Sequence, residues 1–400
     1  MSGEYTPIWM VSPKVEFKET ADILANKIRL FQIPPHHLLH YQLKYGRKIS
    51  ERLKNFNWSS YGFNPYDGGF NDLASKLLTK RWRFSYDVSG WDKFLPNMED
   101  VYNAVLFKNP DFTSQEFDEF RWVMMHTIKP LLRFPSGAVY SKPYGNPSGS
   151  GTTTRDNILC HVLILTYALT CAHIEKTGVC PSYEKIDEQV AYLFGDDNIG
   201  SVDDEFSLMC DFEFLSAVFQ RFGMKLKFLQ GGEDAPLEEL SFLGASFVKI
   251  EGMWLPHYNP VRLATSMVYD DGNLSVSEYI SKIHTLTVMS FPTKYFEVFH
   301  NAYKSALTKL VNYKDPVVQS HVRFGGLNPS DLMCFFTGRE ATTVSLQSRI
   351  YFFVRPMTRL IIVFKEAGRS KRSVMAQVSR GERLLNKWAT NPQTTFTLSG

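Results

Sequence analysis

The spacing of apolar side chains along this chain switches repeatedly between a helical and an alternating rhythm, and the switches outline its elements. Basic and aliphatic residues alternate in the first sixty positions and break at Pro34-Pro35, behind which 36–54 has helical spacing that ends before Asn57. Residues 61–70, with Gly62, Pro65, Gly68 and Gly69, read as a loop, and 71–80 as a helix. The short aromatic run 83–88 favours a strand, which turns at Ser89-Gly90. Between 111 and 133, Phe117, Phe120, Val123, Met124 and Ile128 recur at helical spacing; 135–147 is turn-rich, and 152–172 has the composition and length of a helix. Two short apolar strands, 190–194 and from Ile199 onward, are joined by Gly195-Asp196-Asp197-Asn198, a hairpin signal. A helix over 203–222 stops at Gly223, and a second hairpin over 240–254 turns at Glu251-Gly252. Beyond Pro260 the pattern is mainly helical, with breaks near Pro292, Pro316, Pro329 and Pro356.

Composition adds limits to this outline. With 400 residues, 44% hydrophobic and 21% charged, the chain can bury one large core or two to three small ones, which excludes disorder over most of its length. The net charge of +3 is uninformative until it is divided: residues 1–60 carry +4, residues 351–400 carry +7, and the 290 between them carry −8. An acidic centre between basic ends suits a polyanion held at its margins around a cation-binding site. Five cysteines without disulfide-like spacing, and no apolar run at the N-terminus, point to a reducing, cytosolic setting. The longest apolar stretch, 158–174, is interrupted by His161 and His173 and holds Thr166 and Thr170, so a buried helix is expected there and no transmembrane segment. The polar tail after Trp388 is expected to be mobile.

Three constellations carry chemistry. Asp87-Val-Ser-Gly-Trp-Asp92 puts one carboxylate at the end of a strand and another one turn on. Gly195-Asp196-Asp197 puts two more at a hairpin tip. Each alone reads equally as surface or turn chemistry. Together they can form a two-ion clamp for phosphoryl transfer, because Mg²⁺ takes hard oxygen ligands, usually one or two carboxylates completed by water and phosphate. Between them, Gly145 to Asn157 is a loop rich in glycine and small hydroxyls that runs into a helix, where backbone can approach a ligand closely.

Asp87-x4-Asp92, Ser148-Gly149-x3-Thr153-x3-Asn157 and Gly195-Asp196-Asp197, in that order and 61 and 48 residues apart (Asp87 to Ser148, Ser148 to Asp196), resemble motifs A, B and C of the RNA-dependent RNA polymerases of positive-strand RNA viruses. The resemblance is to the picornavirus-like supergroup, with an astrovirus-like tilt from the Gly-Asn-Pro-Ser-Gly loop, Asp156-Asn157 and Pro96. Lys18-Glu19 and Lys27-Ile28-Arg29 resemble motif F, Gly223 to Lys227 motif D, and Phe242-Leu243-Gly244 the motif E primer grip. Phe194 stands where many relatives have Tyr, and the chain begins almost at motif F, which leaves the front of the fingers unaccounted for.

The resemblance implies an α+β right-hand polymerase with an antiparallel palm sheet and helical fingers and thumb. Its expected divisions are fingers 1–80, palm 81–108, a fingers insertion 109–145, palm 146–256 and thumb 257–400. Asp87, Asp196 and Asp197 would ligate Mg²⁺, with Mn²⁺ as a substitute. Asp92, Ser148, Gly149, Thr153 and Asn157 would form the site that senses the ribose 2′-OH. Lys18, Lys27 and Arg29, with Lys14, would hold the triphosphate, and Lys227 or Lys225 would be the general acid of motif D. Template and product RNA and NTPs are the implied partners, with a genome-linked protein primer and other viral replication proteins. The implied location is the host cytoplasm, at membrane-associated replication complexes.

Other features keep a plainer reading beside a functional one. Cys160, His161, Cys171, His173 and Cys180 lack zinc-like spacing, and most of them lie in the apolar helix, where core packing is expected. Phe31, Phe56, Trp58, Tyr61 and Phe63 could stack template bases, although aromatic core is commoner. The basic residues Arg355, Arg359, Lys365, Arg369, Lys371, Arg372, Arg380, Arg383 and Lys387 could grip the product duplex or merely keep helices soluble, and their one-sided charge favours RNA contact. Two rival functions are a reverse transcriptase, which would share the palm carboxylates, and a non-catalytic RNA-binding replication protein, in which the acids would be incidental.

Overall fold

The computed structural model describes residues 5–14, 24–25, 29–95, 98–103, 112–268, 274–324 and 326–339. Lys18, Lys27, Pro96, the C-terminal basic residues and the polar tail lie outside them. The described residues fall into two units, drawn from 1–13, 30–63 and 74–243 and from 14–29, 64–73 and 244–400.

In chain order the strands are β1 (Ile8–Pro13), β2 (Leu30–Ile33), β3 (Trp82–Ser89), β4 (Leu131–Arg133), β5 (Val139–Ser141), β6 (Val190–Phe194), β7 (Asp197–Val202), β8 (Lys225–Glu233), β9 (Ser241–Phe242), β10 (Ala245–Ile250) and β11 (Met253–Tyr258). The helices are α1 (His36–Leu53), α2 (Gly69–Leu77), α3 (Trp91–Phe94), α4 (Met98–Val101), α5 (Ser114–Ile128), α6 (Thr153–Thr177), α7 (Tyr183–Asp187), α8 (Phe212–Arg221), α9 (Pro260–Val268), α10 (Val276–Ser290), α11 (Phe296–Lys309), α12 (Pro316–Phe324) and α13 (Pro329–Thr337).

The first unit is organised by an antiparallel sheet in the order β6-β7-β3-β8. Its middle strands are buried over Arg83–Tyr86 and Asn198–Val202, where Arg83, Ser85, Asn198 and Ser201 are buried beside the apolar residues. Helix α6 packs into the same core as this sheet. Its buried His161, Ile164, Leu165, Ala168, Leu169 and Ala172 recur at three and four residues and join Phe84, Tyr86, Phe206 and Phe219. Each fully buried Ile or Leu in that stripe contributes about 1.5–3 kcal/mol of transfer free energy. By length and composition α6 is also apolar enough to cross a membrane, and 56% of its most apolar window is buried within the protein.

Two differences from the sequence pattern have physical causes. The helix expected over 203–222 is a 3-10 turn, Asp204–Cys210, followed by α8, because the Asp211 side chain accepts from the Phe214 N–H at 2.7 Å and starts a new helix there. The helix expected over 111–133 ends at Ile128, and Leu131–Arg133 joins a second sheet, β2-β1-β4-β5, in which β1 and β4 run parallel. These strands are three to six residues long, too short to stand out from the basic-aliphatic pattern around them.

The second unit contains the β10–β11 hairpin and helices α9 to α13. Leu255, Leu263, Ile280, Ile283, Phe299, Tyr303, Val318, Leu332 and Phe335 form its core. The His321 ring is buried among them, 3.0 Å from the Ser281 hydroxyl and 2.9 Å from that of Tyr303.

Candidate active site

Strand β3 delivers Asp87 to the end of the central sheet. Its ladder with β8 pairs Asp87 with Phe228 and Val88 with Leu226, so Lys227 is the extra residue of a β-bulge. Bulges re-aim side chains, and here the Lys227 ammonium lies 2.8 Å from Asp87 Oδ2. Beyond Ser89 the chain reverses at Gly90, which takes a left-handed conformation (φ 65°), and enters α3 with Asp92 in its first turn.

On the other side of β3, the hairpin is tighter than the sequence pattern implies. Only Gly195 and Asp196 form its loop, while Asp197 pairs with Phe194 and Asn198 with Leu193 inside the ladder. The backbone pairing of β3 with β7 covers Trp82 to Phe84. Where the same register would bring Tyr86 opposite Asn198, a side chain completes the contact. The Asn198 carboxamide accepts from the Tyr86 N–H at 3.1 Å and donates to the Tyr86 carbonyl at 2.8 Å. Continued past Phe84, that register would bring Asp87 opposite Asp197, next to Asp196 at the tip.

A second buried group reaches the same turn from behind. His161 of α6 lies 2.7 Å from the Tyr86 hydroxyl through Nε2 and 3.1 Å from the Gly195 carbonyl through Nδ1. A carbonyl can only accept, so Nδ1 carries the proton, and neutral Nε2 accepts from the Tyr86 hydroxyl. Burial holds the imidazole neutral, with its pKa lowered to about 4 against the opposing effect of the Gly195 bond. Neither Asn198 nor His161 stood out in the sequence as anything but a turn residue and a core histidine.

The glycine-rich loop is anchored by buried polar contacts. Asp156, fully buried, accepts from Arg155 Nε at 2.7 Å, from the Tyr102 hydroxyl at 2.6 Å and from the Thr152 hydroxyl at 2.7 Å. These bonds satisfy a charge that would be costly to bury alone. Gly149 runs so close to β2 that an added Cβ would come 1.9 Å from the Gln32 carbonyl. One turn into α6, the Asn157 amide donates to Asp92 Oδ1 at 2.7 Å, joining the loop-helix element to the residue five beyond Asp87.

The remaining predicted residues are placed as follows. Thr153 turns its hydroxyl back into its own loop, onto the carbonyls of Pro147 and Ser150 at 2.8 and 2.9 Å, rather than toward Asn157. Ser148 is half-buried on the loop. Phe242 is buried against Phe63, with ring centres 5.8 Å apart, and Leu243 and Gly244 both turn through positive φ (52° and 75°). Arg29 is exposed and belongs to the second unit. Lys142 was not singled out by the sequence. Burial lowers its pKa to about 8, against the attraction of Asp92, and its ammonium donates to the Asn146 carbonyl at 3.0 Å.

Among the described residues, no three His, Cys, Asp or Glu side chains gather into a self-sufficient metal cage. Asp87 and the exposed Asp196-Asp197 pair instead offer a few hard oxygens at a solvent-facing sheet end. Asp87 already balances the positive charge of Lys227. Such a donor set fits ions that take one or two carboxylates and complete their shell with water and phosphate.

A family model described as "Viral RNA-dependent RNA polymerase" matches residues 2–308. Among curated relatives, the genome polyprotein of Watermelon mosaic virus II is 28% identical over 280 residues, covering 66% of this chain and 25% of that protein. The non-structural polyprotein 1AB of Turkey astrovirus 1 is 23% identical over 286 residues, covering 66% and 18%. The chain thus spans a quarter or less of these relatives. A solved structure, an insertion-loop deletion mutant of the RNA-dependent RNA polymerase of a human picobirnavirus, shares the fold. It aligns with a TM-score of 0.59 at 14% identity, over 80% of this chain and 60% of that one.

Proposed function

The chain belongs to the viral RNA-dependent RNA polymerase family, and from that premise we propose that it transfers nucleotides from NTPs to the 3′-OH of an RNA strand under the direction of an RNA template. Two ties support this reading: Asn198 of the Gly195-Asp196-Asp197 turn bonds Tyr86, the neighbour of Asp87 on β3, and Asn157 of α6 bonds Asp92. The sheet is read as palm (81–108 and 146–256), flanked by fingers (1–80 and 109–145) and followed by a thumb (257–400).

Asp87, Asp196 and Asp197 would hold divalent ions, Mg²⁺ or Mn²⁺ in its place. When bound, such ions stabilise charge on the attacking and leaving oxygens of an in-line displacement. Asp92, fixed by Asn157, accepts a hydrogen bond from the ribose 2′-OH. Ser148, Gly149 and Thr153 shape the loop beneath the sugar, and Lys18, Lys27 and Arg29 hold the triphosphate. The 3′-oxygen bonds to the α-phosphorus as the bond to the bridging oxygen breaks. Lys227 Nζ gives a proton to the departing pyrophosphate, from a position that the β8 bulge already directs at the site. Phe242, Leu243 and Gly244 are read as the support of the primer strand. The viral polyprotein relatives favour work in the host cell beside other viral replication proteins. A genome-linked protein primer and membrane-associated cytoplasmic complexes are the finer readings.

Primer extension on an RNA template with Mg²⁺ tests this. NTP-dependent extension lost in Asp196→Ala supports it, and extension that survives the substitution overturns the catalytic assignment. Equal use of dNTP would favour the reverse-transcriptase reading.

A further inference from the structure

The polar contacts that begin at Asp92 do not end at Asn157. The Asn157 Oδ1 faces Asn146, whose Nδ2 donates to it at 2.8 Å and also to the Thr153 carbonyl at 3.2 Å. Asn146 is buried, at 1% exposure. Its backbone N–H donates to the Asp92 carbonyl at 2.7 Å, and its own carbonyl accepts from Lys142 at 3.0 Å. The contacts therefore close a ring: Asp92 carboxylate, Asn157 amide, Asn146 amide, Asn146 backbone, Asp92 carbonyl.

This ring has a direction. A carboxamide has a donor end and an acceptor end, and only the donor end of Asn157 can meet a carboxylate. The Thr153 carbonyl is a pure acceptor, so it fixes which way Asn146 points, and Asn146 in turn presents a donor to Asn157 Oδ1. With that donor removed, Asn157 Oδ1 loses its partner inside the ring, and the amide is held only from its donor end, by the Asp92 carboxylate.

We propose that Asn146 is a positioning residue for sugar selection: it pins the acceptor end of the Asn157 amide, so that the donor end holds the Asp92 carboxylate ready for a ribose 2′-OH. This rests on the reading that Asp92 and Asn157 sense the ribose. A site built to bond a hydroxyl discriminates through how well its own polar groups are prearranged, so loosening the ring erodes the preference for ribose more than the chemistry itself.

The test is single-nucleotide incorporation by the full chain on one primed RNA template, with kcat/KM measured for an NTP and its matching dNTP. The variants are Asn157→Ala, Asn146→Ala and the double variant; Asn146→Ser replaces Asn146→Ala if that protein does not fold. Asn146→Ala is expected to lower the NTP/dNTP ratio about 3- to 10-fold, the worth of one buried hydrogen bond, with dNTP incorporation within about twofold of wild type. The double variant should match Asn157→Ala, because Asn146 acts through Asn157. An equal fall for both nucleotides, or additive losses in the double variant, would overturn the inference while leaving the ribose reading standing. A ratio unmoved by Asn157→Ala would instead bring down that reading.

Discussion

Two hairpins of this chain turn in two residues each, and they are supported in opposite ways. In β6–β7 the loop is Gly195-Asp196, and only the glycine takes positive φ (70°), the order expected of a type II′ turn. In β10–β11 the loop is Glu251-Gly252, and both residues take positive φ (49° and 80°), as a type I′ turn requires. The first hairpin lets glycine absorb the strain and leaves its acid at an unstrained position. The second places its acid where the strain is. Beneath the first lie Asn198 and His161, two buried polar side chains with three bonds to Tyr86 and one to Gly195. Among the described residues, the second has a single side-chain bond to its backbone beside the turn, from the Trp254 N–H to Asn71 Oδ1 at 3.0 Å. It is flanked by surface contacts, Lys249 over the Trp254 ring and Arg339 at 3.9 Å from Glu251. A turn that merely joins two strands needs its dihedrals; a turn that must hold carboxylates in place also needs a polar floor.

The largest effect that separates the two is catalytic. Asp196→Ala should reduce primer extension by about 10³-fold or more, since charge stabilisation of this kind supplies several kcal/mol. Glu251→Ala, the acid of the other loop, should leave extension within about twofold. Comparable losses would mean that the acid at the first tip has no special role.

Removing the floor comes next. Asn198→Ala leaves the buried N–H and C=O of Tyr86 unpaired, at about 1–3 kcal/mol each. It also lets the tip drift from Asp87, where a misplacement of about 1 Å costs on the order of 10²-fold. A fall of about 10- to 100-fold in kcat, larger than any change in KM for NTP, is expected together with a lower melting temperature. A lower melting temperature with unchanged kcat would reduce Asn198 to a structural residue.

The legibility of the site follows the same division. Asp87, Asp92, Asp196 and Asp197 could be singled out in the sequence because strand ends and turn glycines flank them, and Asn157 only through the resemblance to motif B. The ties between them could not. Asn198 looks like the fourth residue of a loop until the ladder shows that it lies inside β7, and His161 is one apolar-face residue among many on α6. Asn146 and the Arg155–Asp156 pair gain their meaning from partners far along the chain or folded back on themselves. Residues adjacent on a helix do not normally face each other, so an ion pair between 155 and 156 has no periodic signature. The strands β1, β2, β4 and β5 were missed for a different reason, being too short for a period of two to declare itself.

Acid should act on the second unit away from its hairpin. Burial lowers the pKa of His284 to about 3, with repulsion from His321 adding to it, and that of His321 to about 4. Both are therefore neutral in the folded chain, and the unfolded chain binds more protons below its ordinary histidine pKa of about 6.5. Their contribution is fully present above that pH and is lost as pH falls toward the folded values, at up to about 1.4 kcal/mol per pH unit for each histidine. Hydrogen exchange at pH 5.5 against pH 7 should show α10 and α12 losing roughly 1–3 kcal/mol of protection. His321→Gln should flatten that dependence; an unchanged slope would remove His321 from it.

The smallest effect tests the comparison through backbone strain, which a substitution adds at one hairpin and removes at the other. An added Cβ at Gly195 meets nothing within 4 Å, so Gly195→Ala costs only its conformation, about 1–2 kcal/mol for an L-residue forced to positive φ. Glu251→Gly relieves the same strain. Against that gain stand the extra chain entropy of glycine, about 0.5–1 kcal/mol, and an exposed ion pair with Arg339 worth about 0–1 kcal/mol. These leave Glu251→Gly between about 1 kcal/mol destabilising and about 1.5 kcal/mol stabilising by denaturant unfolding, set against a clear loss for Gly195→Ala. If Glu251→Gly destabilises by more than the ion pair can account for, the second hairpin has a support beneath it that its surface contacts do not reveal, and the contrast between the two turns fails.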